Sequence, residues 1–186
     1  ALESIQSGNN TVITAHTGSG KTLPAEFAIR YFKDKGQKSI YTTPIKALSN
    51  EKFNDFQKKF PEITFGIITG DIKFNPEADV LIMTTECLLN TLYQKKMMDE
   101  CTLESKQVEL LFEMDINTEL GCVIFDEIHY INDPDRGHVW EESIMLLPKN
   151  IQILGLSATI HNPEKLCNWI EKIKEKPVWL CPNKKR

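Results

Sequence analysis

Two stretches of this chain carry residue types suited to the chemistry of phosphate and water. The first is "AHTGSGKT", Ala15 to Thr22. Gly18 and Gly20 permit a backbone bend in which successive N–H groups converge on one anion. His16, Thr17 and Ser19 complete the loop, Lys21 adds a compact positive charge, and Thr22 offers a hydroxyl of the kind that ligates Mg2+. Ala15 stands where the usual G-x-x-x-x-G-K-[ST] pattern begins with glycine, so the strict motif is missed by one residue. The second stretch is "GCVIFDEIHYIND", residues 121–133. An apolar run, Cys122 to Phe125, stops at two adjacent carboxylates, Asp126 and Glu127, and His129 follows. Two neighbouring carboxylates repel each other in an empty site. A divalent cation and a lysine offset that repulsion, with Asp126 on the metal and Glu127 reaching past it to polarise a water. The lesser reading of "DE" is a strand simply entering a solvated turn; beside a phosphate loop the pair reads as a site for Mg·ATP.

Such residues need rigid elements to hold them. Short β-rich runs alternate with helical patterns along the chain. The strand candidates are residues 11–15, 39–43, 64–69, 80–84, 122–126 and 151–157. Helix-like "KTLPAEFAIRYFKDKG", "KALSNEKFNDFQKKF" and "TECLLNTLYQKK" lie between them. This alternation predicts an α/β fold, a parallel sheet sandwiched by helices, with ligands beyond the carboxyl ends of the strands. The strand ending at Asp126 is expected beside the strand that leads into the phosphate loop. One stretch breaks the rhythm: residues 94–120 make an acid-rich detour, read as an insertion. Within it, "VELLFEMDI" (108–116) sets Val108, Leu110, Phe112, Met114 and Ile116 at period two. That is a half-buried strand, with a short amphipathic helix as the alternative.

The totals set limits. At 186 residues the chain suits one domain with a sizeable core, and no apolar run is long enough to span a membrane. Five cysteines without a C-x-x-C pair argue against a disulfide framework or a zinc site and for thiols in a reducing compartment, hence an intracellular protein, nuclear or cytoplasmic. A net charge of −4 means that any grip on nucleic acid must be local, not a broad basic surface. The start, "ALESIQSG", is helix-like and has neither an initiator methionine nor a signal-peptide pattern, so a fragment of a longer protein is expected.

"AHTGSGKT", "TTPIKALSNEK", "TGD", "TTE", "FDEIH" and "SAT" follow one another in the order found in superfamily 2 helicases. The wording of "YTTPIKALSNEKF", "FDEIHYINDPDRGHVWEESIMLLP" and "LSATIHNPEKLCNWI" resembles the DExH-box RNA helicases of the superkiller, exosome-associated type over all but the 94–120 detour. The resemblance implies a first RecA-like motor domain with ATP and Mg2+ as cofactors and single-stranded RNA as partner. A second RecA-like domain of the same enzyme would complete it, within an RNA-decay assembly. It implies that Ala15 to Thr22 hold nucleotide, that Thr22 and Asp126 hold magnesium, and that Lys21, Asp126 and Glu127 carry catalysis. His129 would couple the nucleotide site to Ser157, Ala158 and Thr159. On their own, His129 is a loop histidine with a local hydrogen bond, and Ser157 and Thr159 are strand-end hydroxyls. Pro44, Lys46, Thr69, Gly70, Thr85 and Glu86 would meet the RNA backbone through amides, hydroxyls and helix N-termini, contacts that read no base sequence. Singly, each is equally a helix cap.

The chain departs from the family in places. "SNQK" is "SNEK" here, which puts Glu51 near the RNA path. The three arginines, Arg30, Arg136 and Arg186, include none in the arginine-rich motif of the second motor domain. A DNA helicase of the repair branch is the nearest competing reading. A nucleotide-switch GTPase would need an N-K-x-D motif, which the chain lacks.

Overall fold

The apolar runs lie side by side. In the computed structural model, which describes residues 1–15, 20, 22–100 and 110–182, the strands are β1 (Asn10–Thr14), β2 (Lys38–Thr43), β3 (Phe65–Ile68), β4 (Lys73–Phe74), β5 (Val80–Thr84), β6 (Leu120–Phe125), β7 (Gln152–Ser157) and β8 (Val178–Pro182). They form one sheet in the order β4-β3-β5-β2-β6-β7-β1-β8. Every pairing is parallel except β3 with β4. The helices are α1 (Leu2–Gln6), α2 (Leu23–Asp34), α3 (Lys46–Lys59), α4 (Thr85–Glu100), α5 (Gly137–Leu146) and α6 (Pro163–Lys174), with a 3-10 turn over Ile128–Asn132.

Alternate residues of each central strand feed two separate cores. Val123 and Phe125 of β6 join Leu88 and Leu92 of α4, Trp140 and Ile144 of α5, and Ile170 of α6. Cys122 and Ile124 face the other way, onto Ala28, Ile29 and Phe32 of α2 and Phe56 of α3. Burial on both faces is why these strands read as continuous apolar runs. Each such side chain contributes about 1.5–3 kcal/mol relative to exposure. The result is a stiff floor whose carboxyl edge carries the polar residues.

Six strands fall within a residue or two of expectation. β4 and β8 add edges that the sequence did not signal. Three expectations need correction. β6 does not lie beside β1, because β7 pairs with both of them. The helix pattern expected over 85–96 runs further, since α4 continues to Glu100 into the 94–120 detour. And residues 110–116 form neither a strand nor a helix. Their period-two burial is real, with Leu110, Phe112, Met114 and Ile116 all buried. Lysines take the backbone groups that a ladder would have used: Lys73 Nζ donates to the Leu110 carbonyl at 3.0 Å and Lys95 Nζ to that of Met114 at 2.9 Å. Val108 and Glu109 lie outside the described residues. Cys87, Cys122, Cys167 and Cys181 are free thiols, the first three buried.

Candidate active site

β6 delivers its two carboxylates into different surroundings. Asp126 still belongs to the sheet, since its N–H donates to the Thr42 carbonyl at 3.0 Å, and only 4% of it is exposed. Its Oδ2 accepts from the Tyr41 hydroxyl at 2.7 Å and its Oδ1 from the Glu127 N–H at 2.9 Å. Burial, and then the carboxylate itself, push the Tyr41 phenol well above its ordinary value, so it stays a donor. Glu127 then adopts a left-handed backbone, φ 53° and ψ 45°. For a residue with a Cβ this costs on the order of 1–3 kcal/mol. It turns the chain off the sheet axis and sends the second carboxylate away from the first.

Glu127 Oε2 lies 3.2 Å from His129 Nδ1, and that nitrogen lies 3.3 Å from Ser157 Oγ at the end of β7. Ser157 Oγ also accepts from the Thr159 N–H at 3.3 Å, and the Ser157 carbonyl accepts from the Ala15 N–H at 2.9 Å. Placing β7 between β6 and β1 therefore makes a polar relay: the β1 end, Ser157, His129, Glu127. Ala158 sits half-buried between the two hydroxyl residues, and Thr159 is exposed.

At the end of β1, Ala15 is buried and Gly20 has φ +75°, a conformation that glycine adopts without strain. α2 opens just beyond, with Pro24 in its first turn. Thr22 precedes it without using its hydroxyl as a cap. His16, Thr17, Gly18, Ser19 and Lys21 lie outside the described residues.

The second half of the same edge is a groove of about 600 Å³ that includes Pro44, Lys46, Gly70, Glu86, Cys87 and Arg136 in its lining. Four of the six expected RNA contacts thus share one cleft at the ends of β2, β3 and β5. The other two turn inward. Thr69 is buried, and Thr85 is fully buried with its hydroxyl donating to the Thr43 carbonyl at 3.3 Å. Lys46 is ion-paired with Asp71, and Arg136 with Glu86. Sequence reasoning passed over Tyr41, Asp71 and Arg136. The period-two position of Tyr41 on β2 puts it on the same face as Asp126, but only the β2–β6 register brings the two together.

A parallel sheet with an acidic pair at the carboxyl end of β6 and a glycine turn that opens a helix after β1 is a RecA-like fold. The model of the DEAD/DEAH box helicase family matches residues 1–166, and the chain belongs to that family. Among curated relatives, Antiviral helicase SKI2 of Saccharomyces cerevisiae is 41% identical over 186 residues, covering 100% of this chain and 13% of that protein. Exosome RNA helicase MTR4 of Homo sapiens is 38% identical over 177 residues, covering 95% of this chain and 15% of that one. The chain therefore spans about one seventh of these relatives. Among solved structures, Mycobacterium smegmatis helicase Lhr bound to ssDNA and AMP-PNP matches with a TM-score of 0.73 at 27% identity, over 98% of this chain and 25% of that one.

Proposed function

We propose that this chain is the first RecA-like motor domain of an ATP-dependent RNA helicase that binds Mg·ATP and the backbone of single-stranded RNA for 3′-to-5′ unwinding. The observation that carries the reading is the split acidic pair. One carboxylate is buried and locked by Tyr41; its neighbour is swung out toward His129 and Ser157.

Oxygen donors suit a hard cation. Among the described residues no cluster of three or more His, Cys, Asp or Glu could hold a metal. Thr22 and Asp126 would supply the few ligands that Mg2+ takes from a protein when phosphates and waters complete its shell. Asp126 presents two carboxylate oxygens, one accepting from the Tyr41 hydroxyl and one from the Glu127 N–H, the oxygen chemistry that Mg2+ takes. When bound, Mg2+ supplies charge neutralisation at the transferring phosphate. Lys21 would add the cation of the phosphate loop, and Glu127 would orient and polarise the attacking water. His129 would transmit the state of Glu127 to Ser157 and Thr159, and so to the nucleic-acid side of the edge. An arginine finger from a second motor domain would complete catalysis; such a residue is worth about 10³–10⁵ in rate in related NTPases.

The RNA reading draws on MTR4, an exosome RNA helicase by name. A DNA reading draws on Lhr, which was solved with ssDNA. The test is a titration with a fluorescent ATP analogue, with and without Mg2+, followed by competition between oligouridine and the matching oligodeoxyuridine. Mg2+-dependent ATP binding that GTP does not match, with preference for the ribose strand, supports the proposal. Preference for the deoxyribose strand favours the repair-branch alternative, and GTP preference rejects both.

A further inference from the structure

A carboxylate is a poor lining for a path that must accept phosphates, yet Glu86 stands in the groove. Arg136 accounts for it. Its Nε and Nη2 donate to Glu86 Oε1 at 3.1 and 2.5 Å, and Nη2 also donates to the Pro44 carbonyl at 2.6 Å. The guanidinium lies 5.6 Å from the Tyr130 ring centroid and 5.4 Å from that of Trp140, over a stacked aromatic pair whose Trp140 is fully buried. Its backbone is held as firmly. Asp133 Oδ1 accepts from the N–H groups of Asp135 and Arg136 at 2.9 and 2.8 Å. The following Gly137 approaches the Ile131 carbonyl so closely that a Cβ would sit 2.3 Å from it.

The contacts join three elements. Pro44 lies between β2 and α3, Glu86 lies in the first turn of α4, and Arg136 follows the 3-10 turn that Glu127 precedes. A planar fork on a rigid base is suited to setting a distance, where a flexible ammonium is not.

We propose that Arg136 is a positioning residue of the groove. It neutralises Glu86 and, by holding the Pro44 carbonyl, sets the spacing of the first turns of α3 and α4, whose amides then meet the RNA backbone. Arg136 itself makes no phosphate contact. This rests on the reading of the groove as the RNA path.

The test is oligouridine binding by fluorescence anisotropy across a KCl series, with thermal melts of every variant. Arg136→Gln leaves Glu86 uncompensated beside the phosphates and should weaken binding roughly five- to tenfold, with the slope of log K against log salt unchanged. Glu86→Gln combined with Arg136→Gln should recover most of that loss. Arg136→Lys keeps charge but loses the fork and should fall between; it decides the matter if Arg136→Gln melts early. A slope reduced by about 0.7, as for one lost single-strand phosphate contact, without recovery in the double variant, would make Arg136 a direct ligand and overturn the inference. Undiminished binding by Arg136→Gln and Arg136→Lys would overturn it too. If the unsubstituted protein binds no oligouridine, the RNA reading itself falls.

Discussion

The two halves of one sheet edge hold their charges in opposite ways. At the end of β6, Asp126 is buried, and a phenol and an amide take its two oxygens. At the ends of β2, β3 and β5, Lys46 with Asp71 and Arg136 with Glu86 are side-chain pairs 36–71% exposed. Hydrolysis needs dipoles fixed before charge develops, in surroundings where water does not dilute them. A backbone path for RNA needs the reverse: groups that can exchange partners as the strand moves, and no base-specific contact. If the groove is the RNA path proposed above, the exposed pairs account for how an acidic chain would offer it. Its acids in the groove are matched locally, so helix N-termini need no surplus of basic residues.

The largest effect that would test this contrast lies within the acidic pair. With the second motor domain present, Glu127→Gln should lower ATP turnover by about 10²–10⁴, the usual range for a lost general base, with nucleotide affinity retained. Asp126→Asn should weaken nucleotide binding itself, most visibly when Mg2+ is varied. In the complete enzyme Glu127→Gln should hold RNA in the ATP state. Equal loss of ATP binding in both variants would show that the carboxylates do not divide the work.

A stability comparison comes next. Tyr41→Phe keeps the ring against Phe56, 5.3 Å between centroids, but leaves a buried carboxylate short of a donor. Urea unfolding should show a loss of about 1.5–3 kcal/mol, the range for a hydrogen bond to a charged group. Lys46→Ala, which removes an exposed pair, should cost no more than about 1 kcal/mol. Similar costs for the two would erase the contrast between halves.

Salt dependence sharpens the groove side. If Lys46 exchanges Asp71 for a phosphate, Lys46→Ala should reduce the slope of oligouridine affinity against salt by about 0.7, whereas Asp71→Asn should raise affinity without changing that slope. An unchanged slope in Lys46→Ala would remove the lysine from the path.

The smallest effect lies away from both halves. Lys174 is buried with its ammonium against the Leu147 carbonyl, and burial, then Lys149, pushes its pKa down to about 8. The folded state thus disfavours the charged form. The stability it contributes is full above the unfolded lysine range, near 10.4, and is lost as pH falls through about 8. Melting midpoints should rise from pH 8 to pH 10 in the native protein, and Lys174→Met should flatten that rise.

Much of this edge was legible in the chain itself. "AHTGSGKT" and "FDEIH" announce their chemistry because phosphate loops and metal carboxylates depend on local residue types at short spacing. The central strands are equally plain, since burial on both faces demands unbroken apolar runs. Residues 110–116 misled because period-two burial was taken for ladder pairing. Burial follows from side chains alone, while a ladder needs a neighbouring strand, and here Lys73 and Lys95 take carbonyls in its place. Thr69 and Thr85 stand at the edge where position put them, but both are buried, which leaves their backbone amides and not their hydroxyls as the groups the edge can offer.

The amino-acid sequence alone determined the α/β class, the elements that carry the motifs, and the residue types available for phosphate, metal and water. These depend on interactions within a few positions of one another. Tertiary structure decided the rest. It set β7 between β6 and β1, joining Ser157 to His129, brought Tyr41 to Asp126 across 85 positions and Arg136 to Glu86 across 50, and gave Glu127 its left-handed turn. Strand order and inter-strand register are global outcomes of burying two faces of one sheet, and no local spacing encodes them.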